Sequence, residues 1–254
     1  MKILGIIPSR YASTRFHAKP LIMIKGKSMI QRVYEQVRKS ARLSHAVVAT
    51  DNQDIFDHVK SFGGAVCMTS DKHVSGTDRC YEALSMQQDA YDYVINIQGD
   101  EPFIQPDQID LLASRLDNER QIATLVKSIG SQAELFNPNL VKAVVGKNMD
   151  ALYFSRSPIP HIRNSDESLW ADKHKFYKHI GMYAYRVDIL AELTKLPVSS
   201  LEKAESLEQL RWLENGYKIS IAETLTETFG IDTPEDLERA LVYLEESGDT
   251  AAVG

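Results

Sequence analysis

Two stretches of this 254-residue chain gather residue types suited to handling phosphate. Between Pro8 and Pro20 the cations Arg10, Arg15 and Lys19 alternate with the hydroxyls of Ser9, Ser13 and Thr14. The stretch has no glycine, which excludes a Walker-type phosphate loop and a dinucleotide fingerprint. Cations, hydroxyls and backbone N–H groups in one loop suit a triphosphate, whose charge needs several donors at once. A charged surface loop is the alternative reading of this segment alone. The second stretch is Tyr93-Val-Ile-Asn-Ile97 followed by Gln98-Gly99-Asp100-Glu101-Pro102. A carboxylate directly after a buried strand is a natural Mg²⁺ ligand, because Mg²⁺ in phosphate sites takes one or two carboxylates plus substrate oxygens. Gly99 permits close backbone approach. Without that chemistry, Asp100 reads as the cap of a helix in an acidic turn. A second carboxylate is needed, and Asp232 in Gly230-Ile-Asp-Thr-Pro-Glu235 is one candidate, although Asp before Thr-Pro is also a good N-cap.

The elements that must position these residues alternate along the first half. Ile3–Pro8, His45–Thr50, Ala65–Thr69, Tyr93–Ile97 and Ile122–Ile129 read as strands. Between them, helices are predicted over Met29–Ser40, from an Asp51 or Asn52 cap through Phe62, from a Thr77 cap to about Gln87, and from Pro106 to about Leu116. This alternation predicts an α/β fold: an open, mostly parallel sheet with helices on both faces. In such a sheet ligands bind beyond the carboxyl ends of the strands, which is where both stretches fall. The second half is less regular. Strands are predicted over Val141–Val145, Asp150–Arg156, His179–Arg186 and Lys218–Ala222, a loop over 157–175, and helices over Val187–Leu196, Leu201–Glu214 and onward from Asp232-Thr-Pro. The organisation predicted is one domain over 1–254, with a β-containing lobe inserted at about 136–186.

Composition limits the class. The chain is 43% hydrophobic and 25% charged, with a net charge of −6, which is ordinary for a globular protein. No apolar run is long enough for a membrane span, and Ile3–Ile7 is too short for a signal-peptide core. Two cysteines, Cys67 and Cys80, fit neither a disulfide framework nor a zinc cluster, and both read as inert core thiols. A cytoplasmic protein with no membrane partner is therefore expected. Residues 1–34 hold seven basic residues and no acidic one, so the remainder carries −13. Interleaved Leu4, Ile6, Ile7, Leu21, Ile22 and Ile24 make this block part of a folded domain. It reads as the wall of an anion site and not as a nucleic-acid arm.

The chain resembles the 3-deoxy-D-manno-octulosonate (Kdo) cytidylyltransferases over residues 2 to about 246. The motifs that match are IIPSRYASTRFHAKPL at 6–21, VVATD at 47–51, SGTDR at 75–79, NIQGDEP at 96–102, ALYFSRSPIP at 151–160, KHIGMYAYR at 178–186, SLEQLRWLENG at 206–216 and GIDTPEDLERA at 230–240. The resemblance implies a mixed α/β nucleotide-diphospho-sugar transferase-like fold and a homodimer. It also implies Mg²⁺-dependent transfer of CMP from CTP to Kdo, releasing diphosphate, for lipopolysaccharide biosynthesis. A cytidylyltransferase for 8-amino-Kdo or a sialic acid, or a non-catalytic nucleotide-sugar binding protein, is the alternative.

Carried over by position, Arg10 and Lys19 match the triphosphate-binding cations, and Asp100 and Asp232 match the metal-binding carboxylates. Ser13 belongs to the same nucleotide loop, while Gln98 and the Ser75-Gly76-Thr77 turn match positions around the nucleoside. Arg15 joins the substrate-binding set, with Arg156, His179, Tyr183, Glu208 and Gln209 matching positions that line the sugar-acid pocket. Where the family usually reads R-x-P-G-K-P, this chain has Arg15-Phe-His-Ala18-Lys19-Pro20, and Ala18 disfavours the positive φ a glycine would allow. Homodimerisation is expected through the lobe, because Tyr153, Phe154, Ile159, Ile162, Trp170, Phe176 and Tyr177 are more apolar surface than a short excursion can bury.

Overall fold

Apolar runs bounded by polar turns set the strands of the first compact unit, residues 1–110 with 228–254. The computed structural model describes residues 1–11, 18–228, 230–231 and 233–246. In the first unit β1 (Ile3–Ser9) leads, through the short hairpin of β2 (Met23–Ile24) and β3 (Lys27–Ser28), into α1 (Met29–Val37). Then follow β4 (His45–Thr50), α2 (Gln53–Ser61), β5 (Val66–Met68), α3 (Gly76–Ser85), β6 (Tyr93–Asn96) and α4 (Pro106–Ala113), within which the unit boundary falls. Strands β6, β1, β4 and β5 lie side by side in that order, all parallel. The side chains of β6, β1 and β4 are nearly all buried, as a sheet covered by crossover helices requires, while β5 at the edge is only partly covered. A C-terminal helix, Pro234–Glu246, packs Ala240 and Leu244 with Ile24, Met29, Phe103 and Ile231.

Caps explain where the helices begin. Ser28 Oγ accepts from Gln31 N at 3.2 Å and starts α1, and Asn52 Oδ1 accepts from Ile55 N at 3.1 Å and starts α2. The α3 cap is Ser75, not Thr77: Ser75 is extended and its Oγ accepts from Asp78 N at 3.1 Å, while Thr77 is buried in the first turn. Gly63, at φ 78, ends α2, as the Gly63-Gly64 pair predicts.

The second unit spans residues 111–227. It holds β7 (Ile122–Ser128), α5 (Gln132–Phe136), β8 (Lys142–Val145), β9 (Ala151–Ser155), β10 (Tyr177–Arg186), α6 (Val187–Leu193), α7 (Ser200–Glu205), α8 (Gln209–Glu214) and β11 (Ile219–Glu223). Here β11 runs parallel to β7, whereas β10 is antiparallel to both β7 and β8, and β8 to β9. The single helix expected over 201–214 is two. A Ser199–Glu202 capping box opens α7, and Ser206, in the left-handed region at φ 54, ends it. The Arg211 guanidinium then ties the second piece to the first through Glu202, at 2.7 and 2.5 Å. Within the stretch expected to be a loop, 167–173 forms two short helical turns, because Trp170 is buried with Ile129, Leu135 and Phe176.

That packing changes the argument for a dimer. Phe154, Trp170 and Phe176 are buried inside the second unit, so three of the seven side chains assigned to a partner are used by the unit's own core, and Tyr153, Ile159, Ile162 and Tyr177 are partly buried. Exposed apolar side chains in this stretch are Phe136, Leu152 and Leu169. Among the described residues no helix is long and apolar enough to cross a membrane.

Candidate active site

The first unit's parallel strands end at a cleft of about 250 Å³. Pro8, Ser9 and Arg10 enter it from the end of β1, Gln98, Gly99 and Asp100 from beyond β6, and His73 to Gly76 from the start of α3. Lys19 and Pro20 close another side. Among the described residues three cations (Arg10, Lys19 and Arg79) line the cleft against a single carboxylate, Asp100. With the first turn of α3 adding its own positive dipole end, the cleft is built for an anion.

Each charge is set by a local device. Lys19 opens a 3-10 turn, with Leu21 N bonded to Ala18 O at 2.9 Å and Ile22 N to Lys19 O at 3.2 Å. Ala18 takes φ 52, the left-handed conformation that its side chain disfavours, at a cost of about 1–2 kcal/mol. The turn that a glycine would make freely is thus kept by an alanine under strain. Lys19 Nζ bonds Asp100 Oδ2 at 2.8 Å, with the lysine side chain 9% exposed and the aspartate side chain 41%. Beside it, burial and the Asp100 charge push the Glu101 carboxyl up to about 8, against the opposing pull of Lys19. Ile231 N donates to Asp100 O at 3.0 Å, so the segment leading to Asp232 departs from the Asp100 peptide. Asp232 itself, with Ser13 and Arg15, lies outside the described residues.

Gly99 is the tightest point. A Cβ there would lie 2.6 Å from Ser9 Oγ and 2.9 Å from Pro8 O. Gly76 is easier: its Cβ would meet Pro8 and Asn96 at 3.5 and 3.6 Å, which is ordinary contact.

Sequence reasoning missed the wall behind the cleft. On α3, Arg79 reaches Thr69 Oγ1 and Asp51 Oδ2, both at 2.6 Å, and Asp51 Oδ1 accepts from Tyr11 N at 3.4 Å. Three residues on, Glu82 accepts from Ser70 N at 2.8 Å and pairs with His73 Nε2. Burial opposes ionisation of Glu82, but these two partners hold its carboxyl below the usual range. One face of α3 thereby fixes the ends of β4 and β5 and the loop that brings His73 to the cleft. The available signals were Asp51, an acid ending a strand at the ligand edge, and the i,i+3 spacing of Arg79 and Glu82.

Of the nucleotide-side residues named from the sequence, Arg10, Lys19, Ser75, Gln98 and Asp100 line the cleft, and Thr77 is buried in the helix turn behind it. The sugar-side residues belong to the second unit. His179 Nε2 lies 2.9 Å from Thr124 Oγ1, with the ring against Phe154 and Tyr183. Burial pushes its pKa down to about 3, so the ring is neutral at pH 7. Tyr183 is buried against Trp212 and Tyr185, and its hydroxyl has no hydrogen-bond partner among the described residues. Burial, then Tyr185 and Glu208, raise the Tyr183 pKa well above its ordinary value, which places Glu208 near this cluster. Gln209 is buried beside it in sequence. Arg156 is held apart: its Nε donates to Glu205 O at 2.8 Å and its Nη1 to Pro138 O at 3.1 Å.

Parallel strands that end in a cationic cleft with a carboxylate suit a nucleotide-binding enzyme. The cytidylyltransferase family profile matches residues 4–219. A 3-deoxy-manno-octulosonate cytidylyltransferase of Parabacteroides distasonis is 58% identical, covering 96% of this chain and 98% of its own. One from Phocaeicola vulgatus is 59% identical, covering 97% and 98%. A solved CMP-2-keto-3-deoxy-manno-octonic acid synthetase complexed with CTP has a TM-score of 0.90 at 43% identity, covering 97% of this chain and 100% of that one. The chain belongs to the cytidylyltransferases, and within them to the 3-deoxy-manno-octulosonate cytidylyltransferase family.

The two glycines at the cleft separate close approach from mere proximity. Gly99→Ala has to move backbone at Pro8, and overpacking of this kind costs about 1–3 kcal/mol. Gly76→Ala is expected to stay within about 0.5 kcal/mol of the parent, as substitutions without a clash do. Urea unfolding of both variants measures the difference, and a Gly99→Ala protein as stable as the parent contradicts the packing described.

Proposed function

We propose that this enzyme transfers CMP from CTP to Kdo, releasing diphosphate, with a divalent metal held at Asp100 and Asp232. The observation that carries the reading is the Lys19–Asp100 pair at the strand ends, a cation and a carboxylate set together in a cleft otherwise rich in positive charge. The residues present fit Mg²⁺: the position beside Asp100 already accommodates positive charge, in the form of the Lys19 ammonium. Among the described residues no three His, Cys, Asp or Glu side chains gather into a metal cluster. Mg²⁺ bound with a nucleotide needs only one or two carboxylates, because phosphate oxygens and water complete its shell. When bound, it supplies positive charge against the phosphates and lowers the cost of ionising a nearby hydroxyl.

The chain's own residues do the rest by position and charge. Arg10, exposed at the cleft, and Lys19 offset charge on the triphosphate as diphosphate departs. Ser75, Gly76 and Gln98, which also line the cleft, are assigned to the nucleoside. The anomeric hydroxyl of the sugar acid attacks the α-phosphorus, forming the new P–O bond as the bond to diphosphate breaks, and its proton passes to solvent. No covalent enzyme intermediate is needed, since holding the two reactants in line supplies much of the rate. In the second unit, the unpartnered Tyr183 hydroxyl and the Glu208 carboxylate suit a polyhydroxylated sugar acid. His179, being neutral, serves there as a hydrogen-bonding and packing group. The reading assigns the protein to the cytoplasm, where CTP is available.

The direct test mixes the protein with CTP, Mg²⁺ and a panel of Kdo, 8-amino-Kdo and sialic acid, and measures diphosphate. Release with Kdo above the others is expected, and Asp100→Asn is expected to lower turnover by about 10²-fold or more. Near-parental turnover in a folded Asp100→Asn protein contradicts the metal assignment.

The reading includes a homodimer. Among the described residues β9 pairs with no strand other than β8, and Leu152 on it is 63% exposed, which makes it an edge suited to a partner. Mass-resolved sizing at micromolar concentration checks this: about twice the 28.6 kDa chain mass is expected, and the mass of a single chain contradicts it.

A further inference from the structure

Lys19 and Asp100 are assigned to different ligands in the proposed reaction, the first to the triphosphate and the second to the metal. In the structure they are bonded to each other, Nζ to Oδ2 at 2.8 Å. The two arrangements compete, because an ammonium and a divalent cation on one carboxylate repel strongly at such short range. The lysine is held in place by its surroundings: its side chain is 9% exposed, and the backbone is fixed in the turn that Ala18 opens at φ 52. The aspartate side chain is 41% exposed and remains reachable from the cleft.

We infer that Lys19 is a stand-in cation that occupies Asp100 until metal and triphosphate arrive together. A bare divalent ion has to displace the ammonium, which separates a buried charge from the carboxylate that neutralises it, and that is costly. A metal–nucleotide complex makes the same exchange easily, because it brings an anion to which the released ammonium can turn. The arrangement makes metal binding conditional on nucleotide. It also holds the Asp100 carboxylate in one orientation between turnovers. This inference rests on the proposed nucleotide and metal assignments and adds an order to them: the site discriminates against free divalent ion in favour of the nucleotide complex.

The test is a titration of Mn²⁺, standing in for Mg²⁺, followed by loss of the free-ion electron paramagnetic resonance signal. Parent, Lys19→Met, and the Lys19→Met/Asp100→Asn double variant are compared without nucleotide and with CTP. Without nucleotide, Lys19→Met is expected to bind Mn²⁺ about tenfold more tightly than the parent, because the competing charge is gone. The double variant is expected to lose that gain. With CTP present the parent tightens its hold on Mn²⁺, and this nucleotide-dependent gain shrinks in Lys19→Met. Equal Mn²⁺ affinity of parent and Lys19→Met without nucleotide overturns the inference, as does a gain that survives Asp100→Asn. Circular dichroism checks folding, and Lys19→Gln provides the same comparison if Lys19→Met does not fold. Either failure leaves the proposed reaction standing on diphosphate release by the parent, whereas absent diphosphate release alongside the expected Mn²⁺ pattern overturns the reaction and not the stand-in role.

Discussion

A buried ammonium has to be neutralised, and Lys19 with its 2.8 Å bond to Asp100 is the point on which the active cleft turns. That bond joins two segments 81 residues apart in sequence, the turn after β1 and the turn after β6. It can form only because β1 and β6 are adjacent and parallel, so that both turns emerge at the same edge. The demand reaches into the backbone. Ala18 accepts a left-handed conformation to start the lysine's turn, and Gly99 gives up its side chain so that the Asp100 segment can lie against Pro8 and Ser9. Local strain at a functional site is tolerated when the surrounding structure over-determines it. Here the surrounding structure is a strand core with almost no exposed side chain.

Helix α3 is the second support. Its capped N-terminus points at the cleft, while Arg79 and Glu82 on one face gather Asp51, Thr69, Ser70 and His73. Polar and charged groups beyond the ends of two strands, β4 and β5, are thereby held by one rigid helix and not by their own loops, which is how a site stays organised. The second unit achieves rigidity differently, through ring packing of His179, Tyr183, Tyr185 and Trp212. Its charges, such as Lys178 between Glu134 and Glu227 at 2.6 and 2.7 Å, are locked into pairs.

The parallel half of the fold was legible because period and length agree there: His45–Thr50 is both the predicted and the observed strand, and Asp100 follows β6 where the strand-edge rule puts a ligand group. Where two good local signals competed, the sequence misled. Ser75 and Thr77 are both acceptable caps, and only the extended backbone at Ser75 decides between them. An apolar period runs unbroken through 201–214, but Ser206 breaks the helix there, and nothing in residue type demands a left-handed serine. Trp170 and Phe176 look like surplus surface until α5 and β7 supply the partners that bury them. The pairs behind the cleft, Arg79 with Asp51 and Glu82 with His73, depend on contacts between elements that no spacing rule reports.

The proposed nucleotide site lies at the carboxyl ends of the first unit's strands. Hydrogen exchange of backbone amides with and without CTP and Mg²⁺ measures this directly. Slowed exchange is predicted at residues 9–11, 73–79 and 98–101, which border the cleft around Lys19 and Asp100. Unchanged exchange at those amides, with slowing instead near Ser44, His45 and Gln87 to Tyr91, where the same strands begin, contradicts the account.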